Sequence, residues 1–207
     1  MQKSSQYLLV TEYEVDPSKQ KKTIEKWYEC FNAEKNVRTL YYNEKMHSLL
    51  EIYGFSDLTQ LNQELIVQSK SSYAQQILPW MDSDWRRQVL GLKDIVIDQN
   101  GIIPNSLYLQ LRYIEVPLKK YEEYDNWRKN TIFKYVRQKE QIKSFLAYHT
   151  ILSTRPGVMF ICGFDCPTED YLEIFSADEF QKISNEAKNK YIYNGPNGLF
   201  TKVYQQA

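Results

Sequence analysis

The sequence has little glycine, proline, cysteine or histidine. With 7 Gly, 7 Pro, 43% hydrophobic and 25% charged residues among 207, the composition is that of a globular chain rather than a linker. The three cysteines, Cys30, Cys162 and Cys166, contain no CxxC pair, which argues against a zinc module. We expect free thiols in a reducing, cytoplasmic environment, although Cys162 and Cys166 could approach each other across a hairpin.

Neither an excess of charge nor a long apolar run is present. Lys and Arg total 26, as do Asp and Glu, so the net charge is zero and we expect no nucleic-acid or anionic-membrane partner. No segment approaches the roughly 20 apolar residues of a membrane span, and the apolar run Tyr7–Val10 is too short for a signal peptide. HExxH, GxGxxG and GxSxG are also absent, which argues against metalloprotease, dinucleotide and α/β-hydrolase sites. We therefore expect no metal.

Aromatic residues are abundant, with 17 Tyr, 9 Phe and 4 Trp. Tyrosine combines an apolar ring with a polar tip, so a tyrosine-rich interior suits a cavity of mixed polarity. A tyrosine-rich subunit interface is the alternative explanation.

The first half of the chain reads as a split βαβ unit. Its predicted elements are, in order, a strand at 7–15, a helix begun by Asp16 and Pro17, a hairpin of strands at 37–43 and 48–53, a helix capped by Ser56 or Asp57, and a strand at 89–97. The order β-α-β-β-α-β is that of the ferredoxin-like fold.

The second half repeats this order after a turn at 98–101. We predict repeats at 1–98 and 106–207 joined by a linker at 99–105. Residues 37–58 align without a gap on residues 159–180, which makes 172–175 a strand equivalent to 50–53. Before that block lies an insertion that carries Ile142, Phe145, Leu146 and His149 at helical spacing, so we predict an extra helix at about 138–153.

The strand-helix-hairpin-helix-strand order, the Pro156-Gly157-Val158 start of a hairpin strand and the passages 51–58 and 173–180 resemble the dimeric α/β-barrel superfamily. Its antibiotic biosynthesis monooxygenase-like members and stress-responsive barrel domains are the most similar in pattern, here in tandem form. The resemblance implies an α+β protein of two ferredoxin-like repeats. Their antiparallel sheets would pack face to face as an α/β barrel around a small-molecule or haem pocket.

The alternation of side chains along the strands predicts which residues line that pocket. We expect one parity to pack under the helices: Leu8, Val10, Leu50, Ile52, Leu109, Leu111, Leu172 and Ile174. The other set would then point into the barrel: Tyr7, Thr11, Tyr13, Leu49, Glu51, Tyr53, Tyr108, Gln110, Arg112, Tyr171, Glu173 and Phe175. Of these, we expect ligand binding by Tyr7, Thr11, Tyr13, Tyr53, Tyr108, Gln110, Tyr171 and Phe175.

Three of these residues are candidate catalytic groups. Glu51 or Glu173 on an aromatic face could have a raised pKa and act as a general base. Arg112 could neutralise one of them or hold an anionic substrate. The alternative is that both carboxylates lie at a solvated barrel mouth, or pair with Arg112 for structure alone. His149, on the apolar stripe of the predicted extra helix, is a candidate haem ligand or an ordinary core histidine.

Three functions stay open from the sequence. The first is a cofactor-independent oxygenase, isomerase or cyclase that acts on an aromatic or polyketide-like substrate. The second is a haem-binding or haem-degrading barrel, and the third is a stress-response or regulatory barrel without catalysis. We expect no cofactor outside the haem alternative. A small-molecule ligand is the expected partner, and the chain is either a monomer with an internal barrel or a homodimer.

Overall fold

The computed structural model describes residues 4–70, 72–153 and 157–207, with the side chains of 66–70 and 196 outside the description. The strands are β1 (Tyr7–Glu14), β2 (Arg38–Asn43), β3 (Ser48–Phe55), β4 (Arg86–Ile97), β5 (Tyr108–Ile114), β6 (Ser144–Leu152), β7 (Val158–Phe164) and β8 (Leu199–Gln206). The helices are α1 (Gln20–Phe31), α2 (Leu58–Lys70), α3 (Ser72–Ile77), α4 (Tyr121–Asn130), α5 (Ile132–Val136), α6 (Thr168–Ser176) and α7 (Asp178–Lys190).

The eight strands form one closed antiparallel barrel in the order β1-β3-β2-β8-β5-β7-β6-β4. Within each half the order is that of a split βαβ unit, with the first strand between the last and the third. Strand β2 pairs with β8, and β4 pairs with β6, so the free edges of each half are covered by the other half. The predicted α+β barrel of two ferredoxin-like repeats is confirmed.

Local sequence signals place the first-half helices. The Asp16 carboxylate accepts a hydrogen bond from the backbone N–H of Ser18 at 2.8 Å, where a short 3₁₀ turn leads into α1. The Asp57 carboxylate accepts bonds from the N–H groups of Thr59 and Gln60 at the start of α2. Both predicted helix starts are confirmed.

The predicted orientation of the strands is wrong. One buried cluster draws residues from all eight strands, which only the barrel interior can do: Leu8, Val10, Tyr41, Leu50, Ile52, Leu90, Leu109, Leu111, Tyr113, Leu146, Tyr148, Met159, Ile161 and Tyr204. The strand residues that we expected under the helices therefore fill the barrel. The polar and aromatic strand residues that we expected inside the barrel face the helices. An eight-stranded barrel is just wide enough for its own side chains to fill, and these residues occupy the interior where we expected a tyrosine-lined hollow.

Two predicted elements of the second half are also wrong. Residues 144–152 form strand β6 rather than an extra helix. Both faces of 144–148 are buried, with Phe145 and Ala147 under the helices and Leu146 and Tyr148 in the barrel, so its apolar run does not show a strand's alternation. Residues 172–175 lie in helix α6 rather than in a strand. Pro167 precedes that helix, and Glu169 and Asp170 occupy its first turn, where acidic groups are favourable.

The stretch between the two halves runs from the end of β4 at Ile97 to the start of β5 at Tyr108, and it contains the predicted linker. The exact domain boundary stays a prediction. All three cysteines are free, so Cys162 and Cys166 do not pair. Among the helices of the described ranges, none is both long and apolar enough to span a membrane.

Candidate ligand-binding site

Each half carries a cavity between the outer face of the barrel and the helices that cover it. The second-half cavity is small. The volume open to the centre of a water molecule is about 30 Å³, which is enough for about two waters. Its walls come from β5, β6, β7, β8 and helices α4 to α7. The lining residues are Arg112, Ile114, Tyr124, Ile132, Phe145, Phe160, Phe175, Phe180, Ile183, Ser184, Ala187, Ile192 and Leu199.

Arg112 is the charged residue of this cavity. It is 9% exposed, and its guanidinium lies 3.8 Å from the ring centroid of Phe175 and 5.3 Å from that of Phe180. Its Nε–H donates to Gln110 Oε1 at 2.7 Å, and no other hydrogen bond or ion pair of this side chain is formed within the described residues. A buried cation without a carboxylate is costly, so the site is set to receive a negative charge.

The groups around Arg112 hold their protons. Burial lowers the pKa of Arg112, with Tyr171, Cys162 and Tyr124 opposing that effect, but a guanidinium stays charged at neutral pH. Burial raises the pKa of the Cys162 thiol to about 12 and also raises the pKa of both phenols. The Tyr171 hydroxyl donates to Gln110 Oε1 at 3.1 Å, so one amide oxygen holds both Tyr171 and Arg112.

The first-half cavity is smaller and has different chemistry. The volume open to the centre of a water molecule is about 10 Å³. The lining residues are Thr11, Tyr13, Phe31, Glu51, Tyr73, Trp85 and Arg87. The Glu51 carboxylate accepts from Trp27 Nε1 at 2.5 Å and from Arg38 Nη1 at 2.7 Å. Arg38 also pairs with Glu64 at 2.6 Å and Glu34 at 3.0 Å. Glu51 is thus a member of a buried ionic network.

A pair of tyrosines closes the other side of this cavity. The hydroxyls of Tyr13 and Tyr73 lie 2.5 Å apart, and both side chains are buried. Burial raises the pKa of each, and the nearby Glu51 charge acts in the same direction. Both phenols therefore stay protonated at neutral pH.

The two cavities occupy equivalent places but carry unlike residues. On the outer face of the barrel, Thr11 pairs with Glu51 across β1 and β3, whereas Arg112 pairs with Phe160 across β5 and β7. The first half thus places a neutralised carboxylate where the second half has an apolar ring. It is the second half that has a cation without a carboxylate partner in the described residues.

The predicted site residues therefore divide into separate groups. Gln110, Arg112, Tyr171 and Phe175 meet in the second half, although the last two come from helix α6. Thr11, Tyr13 and Glu51 meet in the first half. Tyr7 and Tyr53 stack on Phe55, and Tyr108 stacks on Phe164, away from the walls of both cavities. The predicted carboxylates and Arg112 do not form one catalytic set.

Glu173 and His149 stand apart from both cavities. Glu173 lies on the solvent side of helix α6. His149 is half-buried on strand β6, with Nδ1 3.0 Å from the Thr150 carbonyl oxygen and its ring 4.9 Å from that of Tyr121. Burial lowers the pKa of His149.

Sequence reasoning missed several residues of the buried polar networks. Arg38 and Tyr73 complete the first-half cavity, and Tyr124 and Phe180 complete the second. Inside the barrel, Glu12 accepts hydrogen bonds from Tyr113 and Tyr204 and pairs with Lys202. Although burial opposes it, this pairing lowers the pKa of Glu12. Charged residues within otherwise apolar strands, such as Glu12 and Arg38, are the signal that could have found them.

Metal ligands are not gathered anywhere in the described part of the chain, where no group of three or more His, Cys, Asp or Glu residues is placed to hold an ion. Nothing in the arrangement of either cavity requires one. The second-half cavity can bind a small apolar body and an anionic group at Arg112.

Comparison with solved structures shows the same fold at low sequence identity. An anthrone oxidase-like protein matches with a TM-score of 0.72 and 13% identity over 97% of this chain and 91% of its own. A ferredoxin fold protein from Listeria monocytogenes related to antibiotic biosynthesis monooxygenases matches with a TM-score of 0.56 and 7% identity, covering 99% and 96%. A heme-degrading enzyme from the same species gives 0.57 and 9%, covering 97% and 99%.

These matches span nearly the whole of both chains, so the doubled barrel is shared as a unit. The chain has the fold of antibiotic biosynthesis monooxygenase-like α/β barrels in tandem form, as the sequence predicts. No protein-family model matches the sequence, and no curated protein matches it. At such identities the likeness concerns the fold alone.

Proposed function

We propose that this protein binds a small organic anion in the second-half cavity, with Arg112 as its anchor. The observation that carries the proposal is the Arg112 guanidinium, which is buried against Phe175 and has no acidic partner within the described residues. Folding a cation into such a place is unfavourable unless a bound anion compensates for it. The apolar walls of the cavity favour a ligand with an apolar body.

Turnover of the ligand is the finer form of this proposal. The groups beside Arg112 are two phenols and a thiol that burial keeps protonated. Such a site stabilises an enolate or phenolate and donates a proton more readily than it removes one. That chemistry suits a cofactor-independent oxygenase, isomerase or cyclase, and among the structural neighbours are an anthrone oxidase-like protein and a relative of antibiotic biosynthesis monooxygenases. A regulatory barrel that binds the ligand without converting it would need the same anchor.

The test is native mass spectrometry of freshly purified protein, in its wild-type form and as Arg112→Met and Arg86→Met variants. Arg86 is a matched control because its side chain is 46% exposed and pairs with Glu14 at the surface. We expect a co-purifying small molecule on the wild type and on Arg86→Met, and its loss on Arg112→Met. Retention of the same adduct by Arg112→Met would contradict the proposal. If the wild type carries no adduct, titration of the protein with small organic anions decides the question.

Haem binding remains the alternative from the sequence. Its candidate ligand His149 lines neither of the two cavities described above. Haem titration tests it: a Soret band that His149→Ala leaves unchanged would remove this residue as the ligand.

A further inference from the structure

The end of the Arg112 guanidinium that carries Nη1 and Nη2 is available to a ligand. The Nε–H is used by Gln110 Oε1, and within the described residues neither Nη group has a hydrogen-bond or ion-pair partner. Because Gln110 Oε1 also accepts from Tyr171, the amide oxygen is held from two sides. The ring of Phe175 lies against the guanidinium at 3.8 Å. The fork is therefore fixed in place, and its four Nη hydrogens remain for a ligand.

A second unsatisfied group lines the same cavity. Tyr124 is 0% exposed, and its hydroxyl has no hydrogen-bond partner in the part of the chain that the structure describes. Arg112 and Tyr124 both line this small cavity, so one ligand in it can contact both groups. Burial keeps the phenol protonated, which makes it a donor. A buried polar group left without a partner costs about 1–3 kcal/mol and indicates a missing partner.

We propose that the bound anion is a carboxylate, held end-on by Nη1 and Nη2 of Arg112 and by the Tyr124 hydroxyl. This inference rests on the proposed function and specifies its ligand class. Two carboxylate oxygens match the two parallel donors of a guanidinium end, whereas a phenolate or enolate offers one oxygen. Apart from Ser184 the remaining walls, such as Ile132, Phe160 and Leu199, are apolar, and the space is small. The ligand is therefore a monocarboxylate of the size of formate or acetate.

Gln110 and Tyr171 are positioning residues in this arrangement. They act on the ligand through Arg112, since Gln110 occupies the Nε–H and Tyr171 holds Gln110. Loss of the Gln110 oxygen would let the guanidinium turn and present one donor at a time. We expect Gln110→Leu to reduce the preference for two-oxygen ligands more than it reduces affinity for anions in general.

The experiment is isothermal titration of the whole protein with formate and acetate, with their neutral amides, and with azide, a small anion that has no pair of oxygens. We expect the carboxylates to bind about tenfold or more tightly than the amides and azide, which corresponds to one charge-assisted hydrogen bond. Arg112→Met should abolish binding. Arg112→Lys should retain anion binding but lose the preference for carboxylate over azide. Tyr124→Phe should weaken carboxylate binding about fivefold or more, and Arg86→Met should change nothing.

The outcomes separate the two proposals. If azide binds as tightly as acetate and needs Arg112, the carboxylate inference is wrong and the anion site stands. If Tyr124→Phe and Arg112→Lys leave the carboxylate preference unchanged, the inference is again wrong. If none of these anions binds and no small molecule co-purifies, the proposed function fails together with it.

Discussion

Replacing Arg112 by methionine should leave the stability of the ligand-free protein almost unchanged. The substitution removes a buried charge that has no acidic partner in the described residues, which relieves a desolvation penalty of roughly several kcal/mol. It also loses the contact with Phe175, about 1–2 kcal/mol, and the charge-assisted hydrogen bond to Gln110, about 1.5–3 kcal/mol. Gln110 Oε1 keeps its bond from Tyr171. We expect a net change in the free energy of unfolding within about 1 kcal/mol of zero.

The matched comparison is Arg38→Met. Arg38 is fully buried and pairs with Glu51 at 2.7 Å, with Glu64 at 2.6 Å and with Glu34 at 3.0 Å. Its removal takes Arg38 out of a buried ionic network and leaves Glu51 and Glu64 without this partner, which costs about 3–5 kcal/mol. The same substitution at two buried arginines should therefore give results that differ by about 2 kcal/mol or more.

Urea unfolding of the ligand-free wild type and of the Arg112→Met, Arg38→Met and Arg86→Met variants measures these differences. The exposed Arg86 should give a change within about 0.5 kcal/mol. A loss of about 3–5 kcal/mol for Arg112→Met, as expected for Arg38→Met, would contradict the ligand-binding role of Arg112. It would show that Arg112 contributes to the stability of the ligand-free fold.

Three further predictions concern the barrel and its thiols. The pKa of Glu12 is lowered although the side chain is buried. Its ion pair should therefore stabilise the fold above pH 4.5, the ordinary pKa of a glutamate, and this stabilisation should be lost as the pH falls below that value. In urea unfolding, Glu12→Gln should flatten this dependence of stability on pH. In native protein a thiol reagent should modify the exposed Cys30 rapidly and Cys162, whose pKa burial raises to about 12, only after unfolding; equal rates would contradict this burial. Gly163→Ala should lower the melting temperature, because its Cβ would lie 2.5 Å from the Ser144 hydroxyl; an unchanged melting temperature would show that the strands can separate there.

The fold was predictable because local signals agree with the global order in the first half. Asp16, Pro17 and Asp57 mark helix starts by their own hydrogen bonds and geometry, which need no tertiary information. The hairpin of β2 and β3 is rich in apolar and aromatic residues and carries turn residues between its strands. These signals sufficed for the β-α-β-β-α-β order, and from it for the barrel.

The orientation of the strands was not predictable from periodicity. Both faces of this sheet are buried, one in the barrel and one under helices. The alternation of side chains therefore separates the two faces but does not show which face lies inside the barrel. The apolar residues Leu8 and Leu50 belong to the interior because space there is filled by side chains of all eight strands. The helix-covered face has room for cavities and accepts Thr11, Glu51 and Arg112.

The second half was misread because short apolar runs do not distinguish a strand from a buried helix. The helical spacing within 142–149 predicts a helix where β6 lies, and the gapless alignment of 37–58 on 159–180 predicts a strand where α6 lies. Even so, Arg112 and Gln110 were predicted as site residues, since polar side chains in an apolar strand stand out. Tyr124 and Arg38 belong to their sites only through tertiary contacts, which no local pattern contains.

The most direct test is a crystal structure of the protein with its co-purified ligand or with acetate, at a resolution that shows the density between Arg112 and Phe180. We predict an anion against the Nη groups of Arg112, with its apolar part toward Phe160 and Leu199. An Arg112 side chain paired with a protein carboxylate, with no ligand density in the cavity, would contradict it.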